Sequence, residues 1–139
     1  MGDLTENFSL EEFSCACSCG LKFTVDEALL DILQYMRLAV EEPLVILSGC
    51  RCRAHNSTTL GAAENSWHIP RDSLMGLPIL YASDVTYADK KLRTPENVTK
   101  LYIYASNIKA KGLGLYSNRV HVDSRPKKRI ARWISDYPQ

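Results

Sequence analysis

Leu29, Ile32, Leu33, Met36 and Val40 recur at helical spacing, and Pro43 follows shortly after the last of them. That apolar stripe calls for an amphipathic helix. Thr24-Val25-Asp26-Glu27 reads as a capping box that opens it. Pro43 sets its end near Glu42, because the residue before a proline is pushed out of helical geometry. Leu44-Val45-Ile46-Leu47 comes at once, a buried strand by length and content, closed by Ser48-Gly49. Helix and strand signals then keep mixing without the regular alternation of βαβ units.

Upstream, Ser9-Leu10-Glu11-Glu12 reads as a capping box for a short helix. Downstream, residues 50–75 are polar and irregular, and 79–85 reads as one strand. Thr94-Pro95-Glu96 starts a second long helix with an N-cap and a first-turn proline. Val98, Leu101, Ala105 and Ile108 give it an apolar face, Lys109 and Lys111 suit its C-terminal end, and Gly112 is its expected C′ residue. Residues 113–116 and 119–123 look like paired strands around a Ser117-Asn118 turn. The basic stretch 125–133 reads as a solvated face without function. The expected fold is α+β, a small antiparallel sheet with flanking helices, in a single domain spanning 1–139.

Composition excludes several classes of function. A net charge of +1 gives no global field for nucleic acid or an anionic membrane. The longest apolar run is far short of a membrane span. The first residues carry acids and lack the basic and apolar regions of a signal peptide. The expectation is a monomer that works in the cytoplasm or leaves it by a route this chain does not encode.

The chain has 3 histidines, so each can be weighed. In Val120-His121-Val122-Asp123, alternation puts His121 and Asp123 on one face and the valines on the other. On its own this also describes a half-exposed strand. His68 lies in a polar loop, and Asp84 closes an apolar strand, where a carboxylate needs a partner, a cap or a metal. Two histidines and one carboxylate with a fourth position open are the ligand set of a catalytic zinc site.

Longer motifs then line up. Ser48-Gly49-Cys50-Arg51-Cys52-Arg53-Ala54-His55-Asn56 resembles the Ser-Gly-Tyr-Arg-x-x-x-His-Asn segment of zinc D-alanyl-D-alanine carboxypeptidases. Ser66-x-His68 with Ala82-x-Asp84 resembles their Ser-x-His-x-x-Gly-x-Ala-x-Asp motif. Gly112-Leu113-Gly114-Leu115-Tyr116, then Val120-His121-Val122-Asp123-x-Arg125-Pro126, resembles their closing segments. Asn7-Phe8-Ser9-Leu10-x-Glu12-Phe13-x-Cys15-x-Cys17 resembles the N-terminal segment of phage and bacterial members. The resemblance implies the α+β fold shared with lysostaphin-type peptidases and the hedgehog signalling domain. It implies Zn²⁺ on His68, Asp84 and His121, and cleavage of peptidoglycan peptides at D-amino acids. By position Arg51 becomes the cation for a substrate carboxylate or an oxyanion. His55 looks structural.

The chain departs from that pattern twice. Asp84 lies 16 residues after His68, where the family has seven. A nine-residue insertion within 69–81 accounts for this and is expected to form a lid or specificity loop; it also makes Asp72 a rival third ligand. Asn118 stands where several relatives carry an acidic general base. Asp123 takes over as base, or else orients His121 as a neighbouring carboxylate.

The 5 cysteines leave three readings open. Cys15, Cys17, Cys19 and Cys52 make a structural four-thiolate zinc site, or disulfides form, or the thiols are free. The main rival to an enzyme is a non-catalytic module that binds cell wall or protein. A redox protein is disfavoured because no Cys-x-x-Cys is present.

Overall fold

The computed structural model describes residues 2–74 and 76–135. Met1, Met75 and residues 136–139 of the expected 1–139 domain lie outside the described residues. In chain order the elements are β1 (Thr24–Val25), α1 (Glu27–Val40), β2 (Leu44–Ser48), α2 (Arg53–Thr58), β3 (Arg71–Ser73), β4 (Gly76–Leu80), β5 (Ala82–Tyr87), α3 (Pro95–Asn107), β6 (Gly112–Leu115), β7 (Val120–Asp123) and β8 (Ala131–Ile134). Short 3₁₀ turns cover Leu10–Phe13 and Lys90–Leu92.

The fold is α+β. The main sheet has the order β2-β5-β7-β6-β8, antiparallel except for the parallel β6–β8 pair. Helices α1 and α3 pack together and cover one face of it. Leu29, Ile32, Leu33 and Met36 of α1 meet Val98, Leu101 and Ala105 of α3 in a core that also holds Val85, Leu113, Val120 and Val122. Each of these side chains other than Ala105 contributes about 1.5–3 kcal/mol when fully buried. A second sheet, β1-β4-β3, pairs β1 in parallel with β4 and β4 antiparallel with β3.

Several local expectations hold. Ser9 N–H donates to Glu12 Oε2 at 2.8 Å, as a capping box requires. Thr94 Oγ1 accepts the Asn97 N–H at 3.2 Å and Pro95 opens α3. Strands β6 and β7 pair antiparallel, placing Leu113 opposite Val122 and Gly114 opposite His121.

Others are corrected by tertiary pairing. Thr24 is not a helix cap: Thr24 and Val25 are drawn into a strand beside Ile79 and Leu80, and Asp26 becomes the N-cap. The run 79–85 is two strands, because its first part pairs with β1 and β3 and its second with β2 and β7. Strand β2 is an edge strand with Leu44 buried and Leu47 exposed, not a buried one. Gly112 does not cap α3. The helix stops at Asn107, Lys109 takes the left-handed conformation at φ 63°, and Gly112 opens β6. The basic stretch 125–133 is not merely solvated, since its last residues join β8 beside β6.

Candidate active site

Strand alternation and register build most of the site. Asp84 on β5 sits directly opposite His121 on β7, and His121 opposite Gly114 on β6, which pairs in turn with Trp133 on β8. One row across the helix-free face therefore carries Asp84, His121 and Trp133. Gly114 is needed in that row because a Cβ there would collide with the Trp133 indole. A Cβ on Gly112 would likewise collide with the Asp123 carboxylate and the Arg125 guanidinium.

His68 comes from the loop after α2. Its backbone N–H donates to Ser66 Oγ at 3.1 Å and its carbonyl accepts the Arg51 N–H at 2.8 Å, so the Ser-x-His spacing turns the imidazole inward. His68 Nε2, His121 Nδ1 and Asp84 Oδ1 then converge, with each pair 3.2 Å apart. All three residues are buried.

The other ring nitrogens fix the tautomers. His68 Nδ1 faces the Gly49 carbonyl at 2.8 Å and must donate to it. His121 Nε2 faces Asp123 Oδ2 at 2.7 Å and donates likewise. Both histidines thus aim an acceptor nitrogen at the point Asp84 Oδ1 also faces. Tetrahedral zinc with ligands at about 2.0–2.1 Å would set them roughly 3.3 Å apart. The donors fit a metal ion, and their geometry is that of one face of a tetrahedron. Asp72, the rival ligand, is exposed on β3 and is not part of this group.

Charge around the triad is strongly organised. Burial alone would raise Asp84, but His68 and His121 outweigh it and hold the carboxyl well below its ordinary range. Arg51 and Arg119, both buried, stand 3.6 Å from Asp84 Oδ2. Burial pulls His68 below its usual value. His121 feels the same burial, yet its bonds to Asp123 and Asp84 hold it above the usual value. Asp123 is fully buried and takes Nε–H and Nη2–H of Arg125 at 2.8 and 2.7 Å besides His121. It stands behind His121 and does not line the cleft.

The triad opens on a cleft of about 370 Å³ lined also by Arg51, Trp67, Tyr116, Arg119, Arg125 and Trp133. Arg119 stacks on the Tyr116 ring at 4.0 Å, and Trp133 Nε1 donates to the Tyr116 hydroxyl at 3.1 Å. The insertion between His68 and Asp84 is a hairpin, β3–β4, rather than a lid. Its residues 69–81 do not line the cleft among the described residues. Arg71 stacks on Trp67 at 4.1 Å and Tyr81 packs edge-on to it at 5.9 Å, so the hairpin braces one cleft wall from behind.

The model of the peptidase M15 family matches residues 6–123. The chain belongs to the peptidase M15 family. Neither the curated proteins nor the solved structures gave a match. Membership makes the protein a metal-dependent peptidase by family, and His68, Asp84 and His121 are the group suited to the metal. Among the described residues, no helix is long and apolar enough to cross a membrane.

The structure brings Arg51, His68, Asp84, His121 and Asp123 near one another; sequence reasoning did not single out Arg119, Tyr116, Trp67 or Trp133, which line the same cleft. Arg119 had a signal: residues 119, 121 and 123 alternate onto one face. Trp133 had a weaker one, the glycine at position 114 that leaves it room. His55 is away from the triad, with Nδ1 3.3 Å from Cys15 Sγ.

Proposed function

We propose that this M15 peptidase is a zinc enzyme that hydrolyses peptidoglycan stem peptides beside D-amino acids, as D-alanyl-D-alanine carboxypeptidases do. The observation that carries the reading is the ligand triad opening on a cleft beside two buried arginines, Arg51 and Arg119. When bound, zinc supplies Lewis-acid polarisation of the scissile carbonyl and a water of lowered pKa.

The chain's own residues do the rest. Arg51 and Arg119 receive the carboxylate of a peptide terminus or the charge that develops on the carbonyl oxygen. Trp67, Tyr116 and Trp133 wall the cleft and keep bulk water from those charges. Asp123 holds His121 in the tautomer that leaves Nδ1 free, while Arg125 keeps Asp123 ionised. A monomeric lytic protein of phage or prophage, made in the cytoplasm and released to the wall, fits this substrate.

A second reading has its own support. Asn118 accepts a hydrogen bond from Arg119 at 3.0 Å in the place where relatives carry an acid, and Asp123 is fully engaged. A cell-wall binding module without turnover would look the same. The zinc-loaded protein should therefore be assayed on stem peptides ending in D-Ala-D-Ala, in D-Ala-L-Ala, and in an amidated D-Ala-D-Ala. Release of D-alanine from the first alone supports a carboxypeptidase. Cleavage indifferent to the amide supports an endopeptidase, and no turnover with zinc bound gives the module.

A further inference from the structure

Away from the cleft, the Sγ atoms of Cys15, Cys17, Cys19 and Cys52 all lie within 4.8 Å of one another. Cys15 and Cys17 are 3.3 Å apart, and Cys17 and Cys52 are 3.5 Å apart. A disulfide needs about 2.05 Å. Four thiolates around a tetrahedral ion at about 2.3 Å stand roughly 3.8 Å from one another. The cluster is near that second spacing and has all four corners.

The surroundings suit thiolates. Cys15 Sγ accepts the Cys52 N–H at 3.4 Å and faces His55 Nδ1 at 3.3 Å, while Cys52 Sγ accepts the His55 N–H at 3.4 Å. Donors to sulfur of this kind orient and tune metal thiolates. The backbone is bent to bring the sulfurs in: Ser18 sits at φ 60° and donates its N–H to the Cys15 carbonyl at 3.1 Å. An L-residue in that conformation persists only where its surroundings hold it. Cys50, the fifth cysteine, is buried in the core and outside the cluster.

We propose that Cys15, Cys17, Cys19 and Cys52 bind a second metal ion, zinc by the softness of the donor set, in a closed structural site. A four-thiolate shell leaves no position for substrate. Its work is to fasten the irregular segment around 14–23 to the loop that carries Arg51. That loop touches the active site twice. Arg51 lies next to Cys52 and lines the cleft, and the Gly49 carbonyl holds His68 Nδ1 at 2.8 Å. The N-terminal segment presses on the same loop. The Phe13 carbonyl accepts the Cys50 N–H at 2.8 Å, and a Cβ on Gly49 would come within 2.7 Å of Phe13 Cα. The site would therefore brace the cleft from outside, whatever the cleft's substrate.

Metal content of the full chain tests this, and Cys17 and Cys19, both exposed, are the pair to replace by serine. Wild type should hold two zinc ions, one for each of the two groups. Cys17→Ser/Cys19→Ser should hold one, and His121→Ala should hold the other. Cobalt-loaded wild type and His121→Ala should both show thiolate-to-cobalt charge transfer, absent from the double serine variant. Because this band is read on wild type, a misfolded variant does not spoil the test. The proposal is overturned if wild type lacks the band. It is also overturned if native, metal-replete protein leaves all four thiols open to titration, or if its mass shows a disulfide among them.

Discussion

Asp123→Asn distinguishes an orienting carboxylate from a proton acceptor. In the wild type the carboxylate takes three short contacts, from His121 Nε2 at 2.7 Å and from Arg125 at 2.8 and 2.7 Å. Asparagine keeps one acceptor oxygen and adds an NH₂ that must face either the imidazole N–H or the guanidinium. At least one charge-assisted bond is lost, at about 1.5–3 kcal/mol. Lost orientation should weaken zinc by about 10- to 100-fold, which is the same order in free energy. Titration against a competing chromophoric chelator measures that affinity, and a stem-peptide assay at saturating zinc measures turnover. Unchanged affinity with turnover down by about 100-fold or more would refute the orienting role and make Asp123 the base. If both quantities survive, neither role stands.

His68→Ala and His121→Ala should each abolish metal binding at the triad, whereas Asp72→Asn, on the exposed hairpin strand, should leave zinc content at the wild-type level. Gly114→Val should displace Trp133 from the cleft wall and raise KM by roughly tenfold or more with triad zinc retained; an unchanged KM would remove Trp133 from substrate binding. Thr94→Ala should cost about 1 kcal/mol in denaturant unfolding with activity unchanged, because it removes only the α3 cap. Tyr87 donates to the Asn97 carbonyl at 2.8 Å, and burial raises its phenol above the ordinary value. Its contribution is therefore full below about pH 10 and lost as pH rises through the raised value; Tyr87→Phe should flatten that alkaline loss.

Legibility followed the range of the interaction. Helix α3 was readable because its cap, its proline and its apolar face are all local signals. For the triad, local signals gave only hints, the alternation that puts His121 and Asp123 on one face and a carboxylate at Asp84 that needs a partner; His68, a loop histidine, joined them through the resemblance of Ser66-x-His68 to the peptidase motif. Thr24 misled because its local signal, a capping box, lost to pairing with Ile79, which is distant in sequence. The run 79–85 misled for the same reason, since composition says strand without saying which sheet. Trp133 was least visible: β8 is a parallel edge strand whose place depends on β6, and a basic stretch gives no hint of that pairing.

The two arginines explain more of the site than their positions alone suggest. At 3.6 Å from Asp84 Oδ2, each is longer than a charge-assisted hydrogen bond of about 2.7–2.9 Å. They neutralise the carboxylate through space without spending their best donors on it. Arg51 bonds Ser48 Oγ through Nε at 3.2 Å, and Arg119 bonds Asn118 while lying flat on Tyr116. Both line the cleft. Two buried cations beside a metal site repel each other and the ion, a cost the fold would shed if they served packing alone. An anionic ligand relieves that repulsion. Under the proposed function, the carboxylate of a peptide terminus is the anion that would relieve it.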